Sequence, residues 1–188
     1  VQTPNGAIDG RPGLAGQRAR WMAAPFLANL AWGSYRTTGD RAFLTESFPG
    51  LLAFFHHWLS PERDRDGDGF PEWDHPLQSA FEDNLAFTSW QTDGQGAEIA
   101  YAESPALAAA LCREAVLLAR MASILGREDQ RRLLELQAAA LRGQVEACWD
   151  SEARLYHYRD RDSHGSPSGT SVASQDGPGK LVLHRTFQ

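Results

Sequence analysis

The sequence predicts an all-α domain built from αα-hairpins. Apolar residues recur at intervals of three and four over residues 25–59 and again over 105–149, which is the period of helices with one buried face. Gly39 and Gly126 interrupt these two stretches, so each stretch is expected to form two antiparallel helices joined by a short turn. With 42% hydrophobic and 22% charged residues, the composition is that of an ordinary globular domain.

In the first hairpin, Pro25 suits the first turn of a helix that Gly39 ends. Asp40 is expected to cap the second helix, and Pro49 to mark a kink or a restart within it. The expected buried stripe of this second helix is Phe43, Leu44, Phe48, Leu51, Leu52, Phe55 and Leu59.

The second hairpin is expected to begin at Ser104-Pro105 and to turn at Gly126. Its predicted buried positions are Leu107, Leu111, Ala115, Leu118, Ala122 and Leu125, followed by Leu133, Leu134, Leu141, Val145 and Cys148. Because Cys112 and Cys148 both lie inside helical patterns, we expect buried free thiols here and no disulfide.

A long irregular segment, residues 60–103, separates the hairpins. It is rich in glycine and proline and contains six aspartates and two tryptophans, a composition that favours a functional loop over a disordered one. Residues 163–180 read as a linker, and residues 181–188 alternate like the first strand of a further element. The expected organisation is a helical domain over 1–162 and a linker with a short β-like tail over 163–188.

Charge and hydropathy exclude several partners. The net charge of -6 and the pI of about 5.5 argue against nucleic acid. No apolar run reaches the roughly 20 residues of a membrane span, and the first ten residues lack the layout of a signal peptide. We expect a soluble chain; the cytoplasm is favoured, although a leader removed before Val1 would change that.

A resemblance to a known family begins in the long loop. The run RDRDGDGFPEW, residues 63–73, followed by QSAFE, residues 78–82, resembles glycoside hydrolase family 63 and its trehalase-like relatives. In those enzymes an R-D-x-D-G-D-G-x-x-E-W segment precedes an E-S-G-x-D motif. The flanking helical stretches are also similar, so that the resemblance covers roughly residues 8–160.

The resemblance implies a part of an (α/α)6 toroid and an inverting mechanism on an α-glucoside or α-mannoside-type bond. It also implies a general acid at the final aspartate of E-S-G-x-D. That position falls on Glu82, and Asp83 is the rival candidate. Inversion needs a second carboxylate to activate water; by resemblance this base comes from a later hairpin, beyond Gln188.

Sugar sites combine aromatic platforms with polar side chains that bind hydroxyl groups. Trp73, Asp74, His75, Gln78 and Trp90 supply this mixture and are the candidate substrate-binding residues. The alternative for each tryptophan is an anchor that holds the loop against the core. Residues 156–162, YHYRDRD, also have sugar-binding character, but a solvated turn is the favoured interpretation.

Asp64, Asp66 and Asp68 with Gly69 match the opening of a calcium loop. An EF-hand is excluded because its twelfth position is His75 instead of glutamate. A looser calcium site remains, and the alternative is a turn whose aspartates accept hydrogen bonds from local amides. No cofactor is required for the predicted hydrolysis.

Inner helices of a toroid are apolar on both faces, and two hairpins cannot cover both. We therefore expect association with the remainder of a toroid or with further copies of this chain. Two other functions remain open: a non-catalytic carbohydrate-binding or scaffold fragment, and a polysaccharide lyase with a tyrosine or histidine base.

Overall fold

A computed structural model describes residues 2–11, 13, 14, 21–79, 87, 99–160 and 181. Four helices dominate it: α1 (Leu27–Thr38), α2 (Arg41–Trp58), α3 (Pro105–Ile124) and α4 (Glu128–Ala147). In the described residues between α2 and α3, the chain forms the short 3-10 helices Pro76–Gln78 and Ile99–Tyr101. None of the helices in these described ranges is both long enough and apolar enough to span a bilayer.

The chain divides into two compact units. Unit 1 comprises Val1–Ser60 and Ala109–Gly143, and unit 2 comprises Pro61–Ala108 and Gln144–Gln188. Unit 1 therefore holds α1, α2 and most of α3 and α4. Unit 2 holds the segment that resembles the glycosidase motifs. The expected boundary between 162 and 163 lies outside the described residues and stays a prediction.

The turns of both hairpins are those that the sequence predicts. Gly39 ends α1 with a positive φ of 69° and donates to the Tyr35 carbonyl at 2.7 Å. Gly126 adopts a φ of 73° after α3. Both conformations are costly for residues with a side chain, which explains glycine at each position. Asp40 caps α2, since its carboxylate accepts a hydrogen bond from the Phe43 amide at 3.0 Å.

Three details of the first hairpin differ from expectation, one of which is that Phe43 of the expected buried stripe is 37% exposed. α1 begins at Leu27, so Pro25 precedes the helix instead of lying in its first turn. α2 runs without interruption from Arg41 to Trp58 with Pro49 inside it, and does not restart there. Proline costs a helix interior about 3 kcal/mol; the complete burial of Leu44, Phe48 and Trp58 along the same helix offsets that cost.

Unit 1 has a helical core with one notable polar group. Glu114 of α3 is only 3% exposed and accepts hydrogen bonds from the first amides of α1. The apolar core of unit 1 includes Ala28, Ala31, Leu44, Phe48, Phe54, Phe55, Trp58, Leu111, Ala115, Leu117, Leu118, Met121, Ala122, Leu134, Ala138 and Leu141. Leu133, which the pattern also assigns to the interior, is 49% exposed.

The part of unit 2 that the structure describes contains four strands of two residues each. β1 (Ala102–Glu103) pairs with β4 (Arg159–Asp160), and β2 (Trp149–Asp150) pairs with β3 (Leu155–Tyr156), both antiparallel. Single bridges add Glu72 to Glu103 and Leu181 to Arg159. The β1–β4 pair and these two bridges together form a small sheet, in which the backbones lie in the order Glu72, Glu103, Arg159 and Leu181. Beside it, Phe70, Ala108 and Cys148 form a buried cluster.

Candidate active site

The candidate site begins with the aspartate-rich turn of unit 2. The Asp64 carboxylate accepts hydrogen bonds from the amides of Gly67 and Gly69, each at 2.9 Å. Asp68 accepts one from the Phe70 amide at 2.7 Å. These are the local contacts that the turn interpretation predicts, and they fix the backbone between residues 64 and 70.

The same turn gathers carboxylate oxygens. One oxygen from each of Asp64, Asp66 and Asp68 lies within 4.8 Å of the others. Ca²⁺ binds oxygens at about 2.3–2.6 Å, so this spacing fits three of its ligands. It also takes six to eight oxygens in total, of which these aspartates supply a part. The Arg159 guanidinium, 3.0 Å from Asp68, already balances some of the negative charge.

A network of ion pairs follows the turn. Arg63 and Arg65 both contact the Asp74 carboxylate, and the Arg65 Nη2 lies 2.6 Å from the Asp74 Oδ1. Arg65 also reaches the Glu72 carboxylate at 2.8 Å. Because Glu72 is fully buried, its charge depends on such a partner. Burial lowers the pKa of Arg63 from its usual value, and the neighbouring charge of Arg65 lowers it further.

The small sheet carries a second buried carboxylate. Glu103 is fully buried, and the Arg159 Nε lies 2.9 Å from its Oε2. The Arg159 guanidinium also lies over the Phe70 ring, 5.5 Å from the centroid. One arginine thus contacts Asp68, Glu103 and an aromatic face, and it ties β4 to both the aspartate turn and β1.

The 3-10 helix Pro76–Gln78 is held by its own side chains. The Gln78 Oε1 accepts hydrogen bonds from the amides of Asp74 and His75 at 2.8 and 3.0 Å, and its Nε2 donates to the Asp74 carboxylate at 3.3 Å. The His75 Nδ1 accepts from the Leu77 amide at 3.2 Å. Burial lowers the pKa of His75, which favours the neutral ring that this bond requires. Asp74 is therefore the centre of a clamp formed with Arg63, Arg65 and Gln78.

Comparison with known protein families shows which family contains this chain. A model of the mannosylglycerate hydrolase MGH1-like glycoside hydrolase domain matches residues 4–179. The chain belongs to this family. As an MGH1-like domain it contains both hairpins, the aspartate turn and the clamp within the matched range. A comparison with functionally curated proteins found no significant match.

Solved structures show the fold of this MGH1-like domain. It is similar to an uncharacterized conserved protein from Thermus thermophilus, with 19% identity, a TM-score of 0.63, and coverage of 85% of this chain and 52% of the other. It is also similar to a GH63 mannosylglycerate hydrolase from the same organism, solved in complex with glucose, with 22% identity, a TM-score of 0.63, and coverage of 85% and 51%. The chain thus spans about half the length of these proteins. The expected fold class, αα-hairpins that form part of an (α/α)6 toroid, is confirmed.

The structure brings some of the candidate residues together. Asp74, His75 and Gln78 are adjacent within the clamp, and Asp64, Asp66 and Asp68 cluster in the turn. Trp73 is 2% exposed, as an anchor in the core would be. Glu82, Asp83 and Trp90 lie outside the described residues. The catalytic, substrate-binding and metal assignments all stay predictions.

Several residues of the MGH1-like domain were not assigned a site role from the sequence. These are the clamp arginines Arg63 and Arg65, the buried carboxylate Glu103, and Arg159. The alternation of arginine and aspartate in RDRDGDG is a signal for the first two, because closely spaced opposite charges tend to pair. Arg159 belongs to a run in which a solvated turn is the favoured interpretation, and its pairing with Asp68 and Glu103 shows that it is not a solvated side chain.

Proposed function

We propose that this MGH1-like domain provides the general acid of an inverting glycoside hydrolase that cleaves an α-glucoside or α-mannoside-type bond. Membership of the glycoside hydrolase family over residues 4–179 is the observation that carries the proposal. One of the similar structures is that of a mannosylglycerate hydrolase in complex with glucose. Mannosylglycerate therefore joins simple α-glucosides and α-mannosides as a substrate to test.

The acid is Glu82 or Asp83, a few residues after the clamp. An inverting reaction places a proton donor and a base about 6.5–9.5 Å apart, on opposite sides of the sugar. The base comes from residues outside this chain, in keeping with relatives of about twice its length. Hydrolysis by two carboxyl groups needs no cofactor.

The clamp supports this role by fixing the backbone that leads to the acid. Asp74 holds Arg63, Arg65 and Gln78 at once, and Gln78 is only four residues before Glu82. A displacement of about 1 Å at a proton donor can reduce the rate of catalysis 100-fold. We propose that Asp74, His75, Gln78, Trp73 and Trp90 line or support the sugar site. The aspartate turn binds Ca²⁺ as a structural ion.

The test is release of free sugar by the intact protein, with the anomer of the first product followed by NMR. Glu82→Gln and Asp83→Asn are compared with Asp129→Asn, an exposed carboxylate of α4. Loss of at least about 1000-fold in kcat for one of the first two, with the control unchanged, identifies the acid. Appearance of the β anomer from an α-linked substrate identifies inversion.

Other outcomes would contradict the proposal. Sugar binding without turnover in any preparation would indicate the non-catalytic alternative. Unsaturated products that absorb in the near ultraviolet would indicate a lyase. Turnover that survives both substitutions would place the acid elsewhere.

A further inference from the structure

The strand pair β1–β4 has a second face, opposite the one that carries the buried carboxylate of Glu103. The register pairs Glu103 with Arg159, so the next residues in line are Ser104 and Tyr158. Side chains alternate between the two faces of a strand pair, and those of directly opposite residues share a face. The Ser104 and Tyr158 side chains thus lie together on the face away from Glu103, and a hydrogen bond joins them.

Ser104 gives Tyr158 a fixed partner. Ser104 is fully buried, and its Oγ accepts a hydrogen bond from the Leu107 amide at 3.3 Å, which caps the first turn of α3. Tyr158 is partly buried; burial raises the pKa of its hydroxyl group, and the hydrogen bond with Ser104 lowers it. The start of a helix and the strand pair therefore both hold the Tyr158 side chain.

The Tyr158 ring also contacts Phe87. The two ring centroids are 5.2 Å apart and the ring planes meet at 63°, an edge-to-face arrangement in which aromatic rings attract one another. Phe87 is fully buried. It follows the two candidates for the general acid, Glu82 and Asp83, by five and four positions in the sequence. Tyr158 thus contacts the chain shortly after the acid.

The clamp and Phe87 lie on either side of the acid in the sequence. Ser79, directly after the clamp, is buried and donates from its Oγ to the Pro76 carbonyl at 2.6 Å. Seven residues separate Ser79 from Phe87, and Glu82 and Asp83 are among these seven. We call them the acid segment. A short segment that is fixed at both ends has fewer conformations than one that is fixed at a single end.

We propose that Tyr158 is a positioning residue, which holds the end of the acid segment through its ring contact with Phe87. This role rests on the proposed function, because that function places the general acid at Glu82 or Asp83. A displacement of about 1 Å at a proton donor can reduce the rate 100-fold. Loss of the ring contact should therefore impair proton transfer to the leaving group more than it impairs sugar binding. The Tyr158 hydroxyl group takes no part in the reaction.

Hydrogen exchange of the intact protein, followed by mass spectrometry of peptides from residues 79–98, tests the contact. Tyr158→Leu and Phe87→Leu each remove one ring and should speed exchange there at least about tenfold. The double variant should add little, because both substitutions remove the same contact. Tyr158→Phe keeps the ring and should exchange within about threefold of the original protein. Tyr35→Leu is the matched control, since it removes a tyrosine that contacts Trp32 within α1, and it should leave exchange of these peptides unchanged.

Kinetics with two substrates separate positioning of the acid from a general loss of structure. Mannosylglycerate releases an alcohol, whose oxygen needs a proton, whereas dinitrophenyl α-mannoside releases a phenolate that needs none. Tyr158→Leu should lower kcat for the first at least about tenfold and change kcat for the second less than about threefold. Tyr158→Phe should leave both values unchanged.

Four results would contradict parts of this scheme, and each points to a different error. Unchanged exchange in Tyr158→Leu and in Phe87→Leu, with circular dichroism showing that both are folded, would overturn the proposal. An equal loss of kcat on both substrates would overturn it by giving Tyr158 a general structural role. Loss of turnover in Tyr158→Phe without faster exchange would overturn it by placing the hydroxyl group in the chemistry. No turnover of either substrate by the original protein would contradict the proposed function, while the exchange result would still decide whether Tyr158 holds the acid segment.

Discussion

Glu114 on α3 caps the start of α1 through the amide of Ala28, 86 positions away in the sequence. The Glu114 carboxylate accepts hydrogen bonds from the Ala28 and Asn29 amides at 2.6 and 2.8 Å. Phe26, at the N-cap position, provides no side-chain cap. A helix start that would otherwise leave its first amides without acceptors is therefore completed by a neighbouring helix.

This contact predicts a pH dependence of stability. Burial raises the pKa of Glu114 to about 7 despite the two hydrogen bonds, whereas the unfolded chain has a value near 4.5. The folded state thus binds the proton of Glu114 more tightly than the unfolded state does. The stability gained from this proton is complete below about pH 4.5 and is lost as the pH rises to about 7. We expect the free energy of unfolding to fall by up to about 3 kcal/mol over this range from this group.

Chemical denaturation at pH 5 and pH 7.5 measures the effect. Glu114→Gln cannot titrate, so this variant should lose the part of the pH dependence that is due to position 114. It keeps only one oxygen for two amides and should be less stable at pH 5 by about 1–2 kcal/mol. An unchanged pH dependence in this variant would contradict the assignment.

The clamp predicts that an acid is worse than an amide at position 78. In Gln78→Glu, a carboxylate would replace the Nε2 that donates to Asp74 at 3.3 Å, and two negative oxygens would face each other. We expect a loss of about 1–2 kcal/mol at pH 7 and a smaller loss near pH 4, where a protonated glutamate can donate again. Thermal denaturation at both pH values measures it. Gln78→Met, which has no charge, should show a loss of equal size at both.

The aspartate turn predicts stabilisation by calcium. For a site with a dissociation constant of about 0.1 mM, 1 mM Ca²⁺ adds about 1.4 kcal/mol and raises the melting temperature by about 3–6 °C. Asp66→Asn keeps an oxygen that can accept from the Asp68 amide but removes a charge, and should weaken the response. Asp150→Asn is the matched control, because Asp150 also accepts from local amides, those of Glu152 and Ala153. An equal melting temperature with Ca²⁺ and with a chelator would rule out the ion.

The two thiols should react at very different rates. Cys148 is fully buried, and burial raises its pKa to about 12, so the reactive thiolate is scarce. Cys112 is partly exposed and donates weakly to the Ala138 carbonyl. Labelling with a thiol reagent at pH 8 should modify Cys112 first and Cys148 only after unfolding. Cys112→Ser and Cys148→Ser variants assign the two phases; rapid labelling of Cys148 in the folded protein would show this expectation to be wrong.

The sequence predicts the helices well because their signals are local. Gly39, Gly126 and Asp40 act within a few residues of where they stand, and each has its expected role. The pattern misplaces the first turn at Pro25 and overstates the effect of Pro49, because burial of Leu44 and Phe48 along α2 stabilises the helix beyond what propensity suggests.

The site is less predictable because its partners are far apart in the chain. Arg159 meets Asp68 across 91 positions, and Glu103 lies between the backbones of Glu72 and Arg159. No periodic pattern in the sequence predicts the Arg159–Asp68 contact or the position of Glu103. By contrast, the motif that contains Asp64, Asp66 and Asp68 is compact, so its cluster of oxygens follows from spacing alone.

The clamp around Asp74 also has a consequence for the order in which the protein assembles. Its contacts join residues no more than eleven positions apart, so forming them closes only short loops. The contacts of Arg159 with Asp68 and of Glu114 with Ala28 close loops several times longer and cost more chain entropy. A nascent chain can therefore build the segment from Arg63 to Gln78 before the second hairpin is complete, and the contact of Arg159 with Asp68 then joins this segment to structure that arrives later.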